Sequence, residues 1–199
     1  MSATLRANVS PIDTPLTSLQ PRPDAASAFT LACSWFAAGR RVDMRELAAE
    51  LGVSRATLHR WLGRRDHLLA EVLWAETSRV FDNVTFTGRG ALGIADAIGS
   101  FVSTVNSSAA FRTFLQREPE RALRLLTTKA SVVQSRTIAQ LTDLLSAEIS
   151  AGRLTTPLPT PDLAYILVRL AESFIYTDLI TGDEPDAAKA HAATQSLLT

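Results

Sequence analysis

A chain of 199 residues, 46% hydrophobic and 20% charged, with 20 Lys/Arg against 20 Asp/Glu, has the composition of a folded globular protein and excludes a disordered or fibrous one. The single cysteine, Cys33, rules out an internal disulfide, and three scattered histidines, His59, His67 and His191, supply no zinc cluster, so no metal and no cofactor are expected. No apolar run approaches the roughly 20 residues that cross a bilayer, and no basic start with an apolar stretch marks a secretory signal, so a cytoplasmic protein without a membrane partner is expected.

The first 23 residues, rich in Ser, Thr and Pro without apolar periodicity, read as a flexible arm. Over 24–38, Phe29, Cys33 and Phe36 recur at i, i+4 and i+7 and Gly39 follows, which predicts a helix with that stripe as its core face. Asp43 and Glu46 have the capping-box spacing ahead of a second helix, 44–51, closed by Gly52. Ser54 caps a third, 55–62, closed by Gly63. Asp66 is placed to cap a fourth, 67–80, where Leu69, Val72, Leu73, Glu76 and Val80 give an amphipathic pattern. Beyond Phe81, helices are predicted at 91–106, 108–117, 119–128, 131–152, 161–181 and 186–198, broken by Pro119, Gly152, the Pro157/Pro159/Pro161 cluster and Gly182. The stretch 84–87 is the only β-like run, and a lone strand has no partner. The fold class is therefore all-α.

The zero net charge hides a local excess: between Arg40 and Arg65 seven arginines face only Asp43, Glu46 and Glu50. That basic patch coincides with two short helices joined by a Gly-containing three-residue turn, the dimensions of a helix-turn-helix. Eight residues make a second helix about 12 Å long, matched to a major groove about 12 Å wide. Leu58 and Leu62 pack inward, leaving Arg55, Thr57, His59, Arg60 and Trp61 outward or partly outward. Arg60 can bond a guanine bidentately, Thr57 offers a hydroxyl and a methyl, and Arg55, Arg64 and Arg65 supply phosphate charges. With Arg45 and Ser54 these residues make the expected DNA-binding set. His59 is expected near phosphate, and Trp61 either leans on the fourth helix or touches DNA with its ring edge.

The run RELAAELGVSRATLHRWLGRRDHLLAEVLW resembles the DNA-binding region of the TetR family of bacterial repressors over about forty residues. Its specific part is Gly52, Val53, Ser54, Thr57, Leu58, Trp61, Leu62, Arg65, Asp66, Leu68 and Leu69. Two positions depart from the family pattern: His59 stands where Tyr is usual and Arg65 where Lys is usual, both still able to reach phosphate. The resemblance implies an N-terminal head over 24–66 and a C-terminal domain over 67–199, begun by a linking helix at 67–80, that binds an effector and dimerises through its last two long helices. The run AESFIYTDLITGDEPD is similar to a subgroup that controls degradation of γ-lactone signals, which implies a lactone or acyl effector. The expected function is a ligand-responsive repressor, not an enzyme, that binds a double-stranded, pseudo-palindromic DNA operator as a homodimer and is released by a small, mostly apolar molecule.

The segment 163–180 agrees, being apolar on more than one side: Leu163, Leu167, Leu170 and Phe174 on one, Ala164, Val168, Ala171 and Ile175 on another. One side is expected to meet its own domain and the other a second subunit, together with Ala187, Ala190, Thr194 and Leu197. Tyr165, Arg169, Glu172 and Tyr176 form a polar stripe at i, i+4, i+7 and i+11 that lines an effector cavity, forms a dimer seam or lies in water. Trp74, Phe101, Phe111, Phe114 and Phe174 are pocket wall by family analogy and otherwise plain core. Cys33 is expected in the core, and His67 and His191 at the surface. Residues 88–93 spell the dinucleotide fingerprint G-x-G-x-x-G, but helical pattern follows where a βαβ unit is required, so the glycines read as a hinge-like interdomain loop. The alternatives left are a helical interaction module without DNA binding and a nucleotide-dependent enzyme built on that loop.

Overall fold

The computed structural model describes residues 22–84 and 89–198. Every regular element among them is a helix: α1 (Ala25–Ala37), α2 (Met44–Glu50), α3 (Arg55–Leu62), α4 (Arg65–Asn83), α5 (Gly90–Ser107), α6 (Ala109–Arg117), α7 (Pro119–Thr127), α8 (Val132–Ser150), α9 (Thr160–Ile175), α10 (Thr177–Ile180) and α11 (Ala187–Leu198). The expected N-terminal arm, apart from its last two residues, and all but the first residue of the β-like run lie outside the described residues.

The head follows from local chemistry. Asp24 and Ser27 form a reciprocal capping box that starts α1, each side chain accepting from the other's amide at 2.8 Å. Asp43 accepts from the amides of Arg45 and Glu46 at the start of α2, and Ser54 from that of Thr57 at the start of α3. Gly39, Gly52 and Gly63 follow these helices with φ of 67°, 64° and 69°, left-handed values that a side chain disfavours.

Three local expectations are corrected. The core face of α1 is Ala28, Ala32, Trp35 and Phe36, whereas Phe29 and Cys33 are only half-buried, because Trp35 and two alanines turn the helix past the aromatic stripe. Glu46 does not return to the Asp43 amide; it pairs with Arg40 at 3.0 Å, and that guanidinium lies 3.3 Å over the Trp35 ring and also reaches Glu50. Asp66 does not cap the fourth helix, which begins at Arg65 behind Arg64; its carboxylate is drawn instead to Arg121 and Arg124 of α7.

Leu47, Leu58, Leu68 and Leu69 fill the head core where α1 meets α2, α3 and α4. Helix α4 then leaves the head and packs against α5, α7 and α8, so one element belongs to both halves. In the second half α9 lies against α8, α5 and α11, while α11 runs along α5. A Cβ on Gly99 of α5 would sit 3.0 Å from the Cβ of His191, so the glycine allows this close approach.

The expected long helix 161–181 is interrupted at Tyr176. Arg112 donates to the Ile175 carbonyl at 3.1 Å and Asn106 reaches the Phe174 carbonyl, so side chains from α5 and α6 bind the last carbonyls of α9. Ala190 and Thr194, expected at a subunit seam, are fully buried within the protomer, where α11 packs on α5. His191, expected at the surface, is half-buried with Nε2 3.0 Å from Asp96. The glycine run is no hinge among its described residues: Gly90 opens α5 with φ 62°, its amide donates to Glu148 Oε2 at 2.7 Å, and Gly93 is buried inside the helix.

Candidate DNA-reading head and effector cavity

Helix α3 presents Arg55, His59 and Arg60 as exposed side chains, while Leu58 anchors it with no exposed surface. Thr57 is half-buried, with its hydroxyl 2.9 Å from that of Ser54. Trp61 is half-buried and packs against the core, so its ring spans core and surface. Arg45 and Arg64 are exposed on either side. Arg45, Ser54, Arg55, Thr57, His59, Arg60, Trp61 and Arg64 thus retain exposed or partly exposed surface on the head.

Arg65 is withdrawn from that set. Its Nε donates to the Val42 carbonyl at 2.6 Å, and both terminal nitrogens grip Glu118 at 2.7 and 2.6 Å. Its fork is occupied within the protein, which corrects its expected role as a phosphate ligand. Glu118, at the junction of α6 and α7, also meets Arg121 and lies 3.5 Å from Arg41. The Arg65 hydrogen bonds, joined by Arg121, pull the Glu118 carboxyl down to about 2. Asp66 is likewise lowered, first by Arg124 and then by Arg121. Arg117 adds a hydrogen bond to the Gly39 carbonyl at 2.8 Å. These interactions clasp the head to α6 and α7 through residues more than fifty positions apart, and only their basic and acidic character was visible beforehand.

The second half holds a narrow cavity of about 50 Å³. Thr77 and Phe81 come from α4, Ile98, Phe101 and Val105 from α5, Phe111 from α6 and Leu126 from α7. Val133, Thr137 and Leu141 of α8 face Val168, Ala171, Glu172, Ile175 and Tyr176. Of the expected effector residues, Phe101, Phe111, Glu172 and Tyr176 meet here. Trp74 instead stacks with Arg136, Phe114 packs edge-on against Phe36 in the core between head and bundle, and Phe174 is half-buried outside the cavity. Tyr165 is 51% exposed, and Arg169 binds the Thr127 carbonyl at 3.0 Å outside the lining. The polar stripe therefore passes from solvent into the interior along α9. The aliphatic and threonine lining was missed because such residues at helical spacing are indistinguishable from ordinary core.

A surface groove between α4 and α5 shares Thr77, Val105 and Phe111 with the cavity, so these side chains separate it from the outside. Elsewhere, Tyr165 and Ile166 on α9 and Leu197 on α11 are large apolar side chains facing outward, exposed by 51%, 37% and 44%.

A family model described as the tetracyclin repressor-like C-terminal domain matches residues 89–199. The structure resembles that of the R. erythropolis transcriptional repressor QsdR from the TetR family, with a TM-score of 0.81 and 32% identity, over 87% of this chain and 93% of that one. No curated protein matches the chain.

Proposed function

The chain belongs to the TetR family, and from that premise we propose that it is a ligand-responsive repressor that binds a pseudo-palindromic operator as a homodimer and is released by a small, mostly apolar lactone or acyl effector. Each α3 enters a major groove, with Arg60 reading a base and Arg55, Arg64, Arg45 and His59 holding phosphates. Two such helices bind one face of a duplex when they stand about 34–36 Å apart, one helical turn. Tyr165, Ile166 and Leu197 provide the outward apolar surface on which two protomers meet.

The observation that carries this reading is that α4 both supports the head and walls the cavity with Thr77 and Phe81. Helices α6 and α7 repeat the arrangement, contributing Phe111 and Leu126 to the wall and clasping Arg65 and Asp66 from their other end. The cavity of about 50 Å³ is far below the roughly 300–1,000 Å³ of ligand pockets, so an occupant must push these walls apart. Displaced walls carry the heads with them and change their separation. A swing from 99:1 to 1:99 between the two spacings requires about 5.5 kcal/mol of differential affinity.

Protection of promoter DNA next to the chain's own gene, measured with and without alkyl lactones and fatty-acyl compounds, tests the proposal. Protection lost on adding one of these ligands is the expected outcome. A folded dimer that protects none of this DNA at low salt overturns it.

A further inference from the structure

Resting on the proposed effector class, we propose that the Glu172 carboxyl is the recognition group for the effector's polar head, and that it selects an uncharged carbonyl compound over the carboxylate formed from it by hydrolysis. Glu172 lies on a wall that is otherwise almost wholly aromatic and aliphatic, and it is only 8% exposed. The Gln134 amide donates to its Oε1 at 2.8 Å and to the Leu126 carbonyl at 2.8 Å, which orients the group. The other oxygen, Oε2, is buried without a hydrogen bond. Arg169 Nη1 approaches Oε2 to 2.9 Å, yet its hydrogen bond goes to Thr127.

Oε2 thus has an ion-pair neighbour but no hydrogen bond; a buried polar atom short of a hydrogen bond is costly, and a ligand that supplies one recovers part of that cost. Among the described residues the charged or titratable groups acting on Glu172 are Arg169 and Tyr176, both on its own chain segment, while α8 brings neutral Gln134, which also holds the α7 Leu126 carbonyl, and the neutral Thr77 of α4 and Thr137 of α8 share the cavity wall. Burial raises the Glu172 carboxyl to about 7, with Arg169 opposing only in part. Near neutrality a large share of the molecules therefore carries an O–H at this position, able to donate to a lactone or ester carbonyl.

A carboxylate ligand fares differently. Among the described residues no lysine, arginine or histidine lines the cavity, and the nearest cation, Arg169, is already engaged by Glu172 Oε2 and the Thr127 carbonyl, so the anion would lose its water without gaining a free cation and would face an acidic group. An ammonium ligand is disfavoured because Arg169 already offsets the ionised form. The site thus distinguishes a closed lactone from its ring-opened hydroxy acid.

Calorimetric titration of the full chain with γ-decalactone, sodium 4-hydroxydecanoate and decylammonium, at pH 6 and pH 8, tests this. The lactone is expected to bind at least tenfold more tightly than the hydroxy acid. Its affinity should fall about tenfold from pH 6 to pH 8, as the protonated fraction of a group titrating near 7 does. Glu172→Gln keeps a donor and should retain lactone binding without the pH dependence, whereas Glu172→Leu should weaken it and narrow the preference over the hydroxy acid. Lactone binding that Glu172→Leu leaves unchanged, or hydroxy acid bound as tightly as lactone, overturns the role of Glu172 while leaving the effector class standing. Preference for decylammonium that grows at pH 8 overturns it in favour of a cation site. If none of the three ligands binds, the effector class fails and this inference with it. Should Glu172→Leu not fold, the Glu172→Gln profile decides: flat supports the proposal, and a wild-type slope overturns it.

Discussion

Arg65 at the first turn of α4 and Glu118 between α6 and α7 are joined by two parallel hydrogen bonds of 2.7 and 2.6 Å, with side chains only 16% and 13% exposed. This shielded, bidentate geometry gives the pair more weight than a surface ion pair. Removing Glu118 leaves the Arg65 charge half-buried without its partner, so Glu118→Ala should cost about 3 kcal/mol, comparable to other broken buried pairs. The same variant should loosen the dependence of operator affinity on effector. Thermal unfolding and operator binding with and without ligand check both effects, and a lost effector response in a variant that remains folded isolates the coupling role.

Two glutamates give opposite pH dependences. Glu118 has a folded value of about 2 against 4.5 for the unconstrained group, so its stabilisation is present above about 4.5 and lost as pH falls toward 2. Glu172 has a folded value of about 7, so the native state binds the extra proton between about 4.5 and 7 and stability falls as pH rises through that window. Glu172→Gln should therefore raise the melting temperature at pH 8 and change it little at pH 4. A melting series from pH 4 to pH 8 reads the difference, and an equal shift at both ends contradicts it.

On the head, Arg60→Ala should cost about 1–3 kcal/mol and relax preference at one base pair of each half-site. Arg55→Ala or Arg64→Ala should weaken all sequences alike and make the salt slope shallower by about one for each phosphate left without its arginine. Anisotropy titrations over several salt concentrations separate the two classes. Arg65→Ala, in contrast, should leave the salt slope nearly unchanged, because that side chain is occupied by Glu118 and Val42.

The outward residues of α9 carry the dimer prediction. A charge at Tyr165 or Ile166 requires desolvation in any interface formed there, so the double variant Tyr165→Glu/Ile166→Glu should sediment as a monomer and bind a full operator far more weakly. Unchanged sedimentation would move the seam elsewhere.

At Gly90, a Cβ would stand 2.3 Å from the Arg153 carbonyl oxygen, and φ is +62°. Gly90→Ala should lower stability by more than the roughly 1–2 kcal/mol ascribed to the left-handed backbone alone. Gly152→Ala, with φ +69° and open space around it, should show only that backbone cost in parallel melting curves.

The sequence by itself determined the all-helical class and the ends of the two short helices α2 and α3. A helix start needs only a side-chain acceptor two or three residues ahead, as at Asp43 and Ser54, and a helix end only a residue tolerant of positive φ, as at Gly52 and Gly63. Such signals act over a single turn and remain readable without knowing the fold. Tertiary structure alone decided where longer side chains found partners. Arg65 looked like a phosphate ligand until Glu118, 53 residues away, arrived beside it, and Asp66 looked like a cap until Arg121 and Arg124 competed for its oxygens. Ala190 and Thr194 turned inward because Gly99 lets α5 approach α11. The cavity is likewise a property of several helices at once, since a leucine or valine at helical spacing reads the same whether packing fills the space before it or leaves it open.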